Sequence, residues 1–146
     1  MIRIEDGILC IGIDERGFLH TGDLGYLDEE GYLHLTGRVK ELIIRGGENI
    51  MPNEVAEIIS GYAGIADVKV VGIPDDFFGE SVCACVCMKD GFVFDEEDMK
   101  QFLGSRLTKY KIPTVFILYD ELPSLSNGKV DMVGLRRDAI AKSIRK

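Results

Sequence analysis

The run from Ser81 to Lys89 constrains this chain more than any other segment. Cys83, Cys85 and Cys87 alternate with Ala84, Val86 and Met88, which is the two-residue period of a strand. The three thiols then share one face and the aliphatic side chains the other. Both faces are apolar, as in a strand sandwiched between two layers, where free cysteine behaves as a small hydrophobe. A zinc site would need the usual C-x₂₋₄-C pairs, and thiols spaced along one strand sit too far apart for easy shared ligation. No metal ligand set is expected. The lack of a disulfide framework agrees with a reducing compartment.

The segments around this strand set the rest of the fold. Glu41 to Arg45 reads as a short strand broken by Gly46-Gly47. Pro52 suits the first turn of a helix reaching about Gly61, with Val55, Ile58, Ile59 and Tyr62 on one stripe. Val68 to Ile73 is β-rich and closes at Pro74-Asp75-Asp76. Asp95 caps a helix whose apolar positions Met99, Phe102, Leu103 and Leu107 recur at helical spacing. Val115 to Tyr119 is another strand, and a basic helix runs from about Met132 to Ile144. The order β-α-β-β-α-β-α predicts a small mixed β-sheet flanked by helices, an α+β or α/β domain. Residues 1–37 differ: short strands and Gly-rich or acidic turns, with Asp28-Glu29-Glu30-Gly31 suited to a hairpin. They hold too few large apolar residues for a core of their own and read as a β-hairpin remnant at the edge of something larger. The expected division is therefore 1–37 and 38–146.

Charge and hydropathy exclude some functions. A net charge of −8 argues against phosphate-backbone binding, which needs clustered Lys and Arg, so no nucleic-acid partner is expected. The longest apolar stretch, Val82 to Met88, is far short of the roughly 20 residues of a membrane helix. Met1 to Asp6 has no apolar signal core. The expectation is a cytoplasmic protein with no transmembrane segment.

Three short segments carry candidate chemistry. In Phe18-Leu-His-Thr-Gly-Asp-Leu-Gly-Tyr26, the Thr-Gly-Asp turn places the Asp23 carboxylate beside a glycine, where it can accept hydrogen bonds from a vicinal diol. Alone, this is also a common surface turn. In the second segment, Gly46 and Gly47 follow a strand, and such glycines admit positive φ or close approach of backbone to a ligand. With Arg38 upstream, a phosphate or cofactor contact is one reading, and a plain hairpin turn is the other. No Lys-Ser/Thr ending follows, so this is not a P-loop. In Ser126-Asn-Gly-Lys-Val130, a tight-turn dipeptide projects Lys129 from a loop. One ammonium on a mobile stem can offset charge developing on phosphate, although turn lysines are usually just solvated.

In order and spacing, these segments resemble the adenylate-forming family of acyl-CoA synthetases, luciferases and peptide-synthetase adenylation domains. The resemblance runs from about Gly17 to Leu135. It rests on residues 17–26, Gly-Arg-Val-Lys-Glu (37–41), Gly-Gly-Glu-Asn-Ile (46–50) and Val-Val-Gly-Ile-Pro-Asp (70–75). It extends through Phe78-Gly79-Glu80, Tyr-Lys-Ile-Pro (110–113) and Ser-Asn-Gly-Lys-Val (126–130). It implies the C-terminal mobile lid domain of an ATP-dependent acyl-CoA synthetase. Such an enzyme joins a carboxylate to AMP using ATP and Mg²⁺, then passes the acyl group to coenzyme A. The implied partner is an N-terminal adenylate-binding domain of the same enzyme.

By resemblance, Asp23 holds the adenylate ribose, Arg38 helps bind the nucleotide, and Lys40 is the hinge about which the lid turns. Gly46 and Gly47 line the pantetheine tunnel, Lys111 lies near the coenzyme A phosphates, and Lys129 is the catalytic lysine of adenylation. Two positions depart from the family pattern: Asp131 stands where Arg is frequent and opposes anion attraction near Lys129, and Ala56 stands where Glu is common. No phosphate loop precedes Gly17, and residues 1–16 read as an abbreviated connector, so the chain by itself is expected to be inactive. Two alternatives stay open. One is an adenylation domain loading a carrier protein, and the other is a truncated, non-catalytic paralogue serving as an interaction module.

Overall fold

A computed structural model describes residues 2–11, 17 and 19–145. The chain divides into two compact units, Met1–Leu42 and Ile43–Lys146.

The first unit is a four-stranded antiparallel sheet in the order β1-β2-β3-β4, formed by Ile2–Glu5, Ile8–Ile11, Leu19–Leu27 and Leu33–Arg38. Residues 2–11, read from the sequence as connector, thus supply two strands; residues 12–16 and Phe18 lie outside the described residues. The turn that joins β1 to β2 is Asp6-Gly7, with φ of 50° and 80°. Positive φ at both central residues is the signature of a type I′ hairpin turn, whose twist matches the strands. The Asp28–Gly31 turn closes β3 onto β4, as its sequence suggests. Asp28 accepts from the Glu30 and Tyr32 amides at 3.0 and 2.8 Å and pairs with His34 Nε2 at 2.7 Å. That His34 contact is the chief reason the Asp28 carboxyl lies below its usual range.

The second unit is the expected α+β domain. Its elements are β5 (Ile43–Arg45), β6 (Glu48–Ile50), α1 (Pro52–Ser60), β7 (Ile65–Asp75), β8 (Gly79–Met88), α2 (Glu96–Gly104), β9 (Val115–Leu118) and α3 (Met132–Ile144). β5 and β6 form a separate hairpin, and the main sheet has the order β7-β8-β9. β7 and β8 pair antiparallel, and β8 and β9 pair parallel across the α2 crossover. The parallel pair requires such a crossover, because a tight turn cannot return the chain in the same direction.

β8 is the middle strand, and its two faces serve two cores. Val82, Ala84 and Val86 pack with Ile43, Ile50, Val55 and Ile59, and with Met99 and Leu103 of α2. Cys83, Cys85 and Cys87 pack with Val71 and Ile117, and with Leu135 and Ala139 of α3. Their alternation along one strand therefore divides the domain into layers, and all three cysteines are buried and outside any disulfide.

Local signals set the helix ends. Pro52 opens α1, where its fixed φ suits the first turn and its missing N–H costs nothing. Asp95 caps α2 by accepting from Asp98 N at 2.9 Å. Asp95→Ala should destabilise the domain by about 1 kcal/mol, seen as a lower urea midpoint with an unchanged slope.

Candidate functional site

In the first unit, Asp23 and Arg38 sit directly opposite each other across β3 and β4. Arg38 Nε donates to Asp23 Oδ1 at 3.1 Å. Thr21 holds the backbone at Asp23: its hydroxyl donates to the Leu9 carbonyl at 2.9 Å and accepts from Asp23 N at 3.1 Å. Gly22, at φ 81°, lies within β3, so the Thr-Gly-Asp segment is part of a strand and not the turn expected from its sequence. The carboxylate is 28% exposed and the guanidinium 67%. Solvent screens such a pair, so its contribution to stability is small, about 0–1 kcal/mol. Both groups remain accessible to a ligand. Lys40 is exposed, in a 3₁₀ segment spanning Val39–Glu41 just before the division between the units.

In the second unit, Gly46 and Gly47 are the two-residue turn between β5 and β6, in register with Arg45 opposite Glu48. Their φ values, 57° and 84°, make this another type I′ turn. The strand β6 was not anticipated from the sequence, where Glu48-Asn49-Ile50 carries no strand pattern. The turn leans on the segment between β7 and β8. Gly46 N donates to the Phe78 carbonyl at 2.8 Å, and a Cβ on Gly46 would lie 3.2 Å from Phe78 Cδ1. A Cβ on Gly47 would meet nothing within 4 Å. Phe78 is itself held by Asp75, whose carboxylate accepts from the Phe78 and Phe77 amides at 2.8 and 2.9 Å. Those two bonds, Phe78's the larger, hold the Asp75 carboxyl below its usual range. This support is present at pH above that range and is lost as pH falls through the folded value.

Beside the turn lies a pocket of about 730 Å³. Arg45, Gly46 and Glu48 line it from the hairpin, Phe78 from the β7–β8 link, Lys100 from α2, and Lys109, Tyr110 and Pro113 from the segment before β9. Arg45 is placed over the Phe78 ring at 4.6 Å and donates from Nη1 to the Tyr110 carbonyl at 2.8 Å. Its Nε is buried without an acceptor among the described residues. Lys100 pairs with Glu96 at 2.8 Å, a hydrogen bond that raises its pKa. The lining thus combines three cations, with Lys100 among them paired to Glu96, one carboxylate (Glu48) and two aromatic rings, a set that can hold a phosphorylated aromatic ligand.

Lys111, the lysine singled out from the sequence, is not among the lining residues. Its ammonium donates to both Glu54 oxygens at 2.9 and 3.0 Å, and this contact raises its pKa. The lysine that lines the pocket is its neighbour Lys109, on the same 3₁₀ turn (Lys109–Lys111).

Lys129 lies in a separate turn. Leu125 N donates to the Lys129 carbonyl at 2.7 Å, Lys129 N donates to Asn127 Oδ1 at 3.0 Å, and Ser124 bridges Val130. Gly128, at φ 82°, completes the bend. The Lys129 side chain is exposed and has no partner among the described residues. Asp131 caps α3, accepting from Gly134 N at 3.0 Å, so its carboxylate is engaged locally. Ala56 packs against the core on the α1 side. Among the described residues no group of three or more His, Cys, Asp or Glu is placed to hold a metal ion, and no helix is long and apolar enough to cross a membrane. The magnesium of the implied reaction thus finds no ligand set among the described residues.

The second unit is thus a layered α+β domain that presents a glycine turn, a pocket lined by basic and aromatic side chains, and a displayed lysine. The family model of the AMP-binding enzyme C-terminal domain matches residues 54–129, just over half of the chain. A long-chain-fatty-acid–CoA ligase of Bacillus subtilis is 43% identical over 78% of this chain and 20% of its own length. An oxalate–CoA ligase of Arabidopsis thaliana is 41% identical over 80% of this chain and 23% of its own. The solved structure of ATP-bound MatB from Rhodopseudomonas palustris superposes with a TM-score of 0.83, at 39% identity, over 92% of this chain and 26% of that one. The chain belongs to the AMP-binding, adenylate-forming family and corresponds to its C-terminal domain. It spans between a fifth and a quarter of the length of these curated relatives.

Proposed function

We propose that this domain is the mobile lid of an ATP-dependent acyl-CoA synthetase, a cytoplasmic enzyme in which an N-terminal domain supplies the rest of the site. The reaction joins a carboxylate to AMP and then moves the acyl group to coenzyme A. The observation that carries this reading is the adjacency of the Gly46-Gly47 turn to the basic pocket. A thiol on a long arm with a phosphorylated adenosine at its far end needs both: a groove without side chains for the arm, and cations with a ring face for the nucleotide. Lys100, Lys109 and Arg45 would hold the phosphates, and Phe78 and Tyr110 would flank the base. Lys111, neutralised by Glu54, would orient the segment that carries Lys109 and Tyr110.

Asp23 would accept hydrogen bonds from the adenylate ribose, with Arg38 holding its carboxylate in place and contributing charge toward the nucleotide. Lys129 would offset negative charge building between the carboxylate and the α-phosphate. Lys40, next to the division between the units, would absorb the backbone rotation that exchanges the two poses.

The pocket makes the acceptor testable. In the full-length enzyme, Lys109→Ala should raise the KM for coenzyme A about 10-fold, the weight of one charge-assisted contact. The KM for pantetheine, which lacks the nucleotide, should stay unchanged. Equal effects on both thiols would sink the assignment, and efficient use of a carrier protein with no discrimination for coenzyme A would favour a carrier-loading enzyme.

A further inference from the structure

The outer edge of β5 should be an unpaired strand edge, because β6 covers only its other side. It is covered by the segment 78–80. Gly46 N donates to the Phe78 carbonyl at 2.8 Å, and Ile44 N donates to Glu80 Oε2 at 2.8 Å. A side-chain carboxylate therefore stands in for the carbonyl of a missing neighbouring strand. Glu80 is the second residue of β8, and its side chain is 27% exposed.

Three features show that this carboxylate is built in. Gly72 on β7 makes room for it: a Cβ there would lie 2.7 Å from Glu80 Oε1 and 3.2 Å from Ile43 Cγ1. Arg136 Nη2 approaches the same Oε1 at 3.6 Å. Arg136 Nε donates to the Gly72 carbonyl at 2.8 Å, so the guanidinium is anchored on the strand that Glu80 crosses. Arg136 belongs to α3, the helix that begins just after the Lys129 turn.

Resting on the proposed function, we infer that Glu80 is a positioning residue for the thioester-forming step. It acts through the β5–β6 hairpin, holding the glycine turn in register with Phe78 and the pocket, and it touches neither thiol nor adenylate. Substituting it should loosen the hairpin without disturbing the β7–β8 ladder, whose hydrogen bonds do not use its side chain.

Two readouts test this. In the 146-residue chain, Glu80→Ala should speed amide exchange at Ile44 by at least about 10-fold, with Val70 and Val86 amides unchanged. Glu80→Gln, which keeps an oxygen acceptor, should stay within about 3-fold of the parent. Gly72→Ala leaves Glu80 in the sequence but displaces its carboxylate, and should reproduce the Ile44 effect. Combined with Glu80→Ala it should add little, as expected for two changes that break one contact.

In the full-length enzyme, Glu80→Ala should reduce kcat/KM for the thiol about 10-fold while pyrophosphate release in adenylation stays within 2-fold. Glu80→Gln should restore most of the loss. Unchanged Ile44 exchange would overturn the inference. So would a parallel loss in both half-reactions together with faster exchange at Val70 and Val86, which would mark a merely structural role. A parent enzyme that forms no thioester would refute the proposed function and the catalytic half of this inference, while the amide arm would still decide whether Glu80 holds the hairpin.

Discussion

Replacing Lys129 by alanine in the full-length enzyme should lower the adenylation rate by about 10²–10³-fold, the cost of removing one preorganised charge-stabilising donor. Thioester formation from a supplied acyl adenylate should stay within about 3-fold. The expectation rests on how the turn is built. Both backbone groups of Lys129 are used, its N–H by Asn127 Oδ1 and its carbonyl by Leu125 N. The side chain therefore leaves from a fixed base, while its ammonium has no partner among the described residues. Alanine keeps both backbone bonds and removes nothing from the core, so stability should change by no more than about 0.5 kcal/mol. Lys129→Arg should recover only part of the rate, since a planar fork cannot take the place of a compact ammonium. The two half-reactions are measured separately, as pyrophosphate release and as thioester formed from synthetic adenylate. A parallel fall in both would refute the proposed role.

The fold was most legible where burial imposes a period. β8 could be read because both of its faces are apolar and the two residue types alternate, and the layers on either side follow from that single strand. The helix starts at Pro52 and Asp95 could be read because their signals are local. Two hairpins were less legible for different reasons. Asp6-Gly7 is a strong turn dipeptide, but the strands around it are only four residues each and were read as connector. β6 has three residues, two of them polar and exposed, so no pattern survives at that length.

The candidate site divides in the same way. Asp23, Arg38, Gly46, Gly47 and Lys129 stand out within short motifs. Asp23 and Arg38 come together only because β3 and β4 are in register, a pairing that turn residues alone do not specify. The pocket was not legible at all. Its walls come from residues 45, 46, 48, 78, 100, 109, 110 and 112–114, and no periodicity links segments so far apart. Lys109 and Lys111 sit on one 3₁₀ turn, and only the position of Glu54 on α1 decides which ammonium is tied up. Glu80 was likewise visible as part of a motif, but its bond to Ile44 spans 36 positions of sequence.

The glycine turn offers the other large effect. Gly47→Val should cut thioester formation by about 100-fold or more and leave adenylation within about 3-fold. At φ 84° an L residue is strained, and a β-branched one more so, at a cost on the order of 1–3 kcal/mol. No steric penalty adds to this within the domain, because a Cβ at Gly47 has open space around it. The substitution should therefore leave a folded domain with a side chain standing in the path proposed for the thiol arm. Obstructing that approach displaces the sulfur from its attack geometry, where about 1 Å is worth about 10²-fold. Gly47→Ala should fall between the parent and valine. Binding of adenosine 3′,5′-bisphosphate at the basic pocket should be unaffected by either change, separating a blocked arm from a lost nucleotide site. Gly46 supplies the contrast: its Cβ would press on Phe78 at 3.2 Å, so Gly46→Ala should disturb the pocket wall and weaken bisphosphate binding as well. If Gly47→Val slowed adenylation as much as thioester formation, or slowed neither, the turn could not be the passage for the thiol.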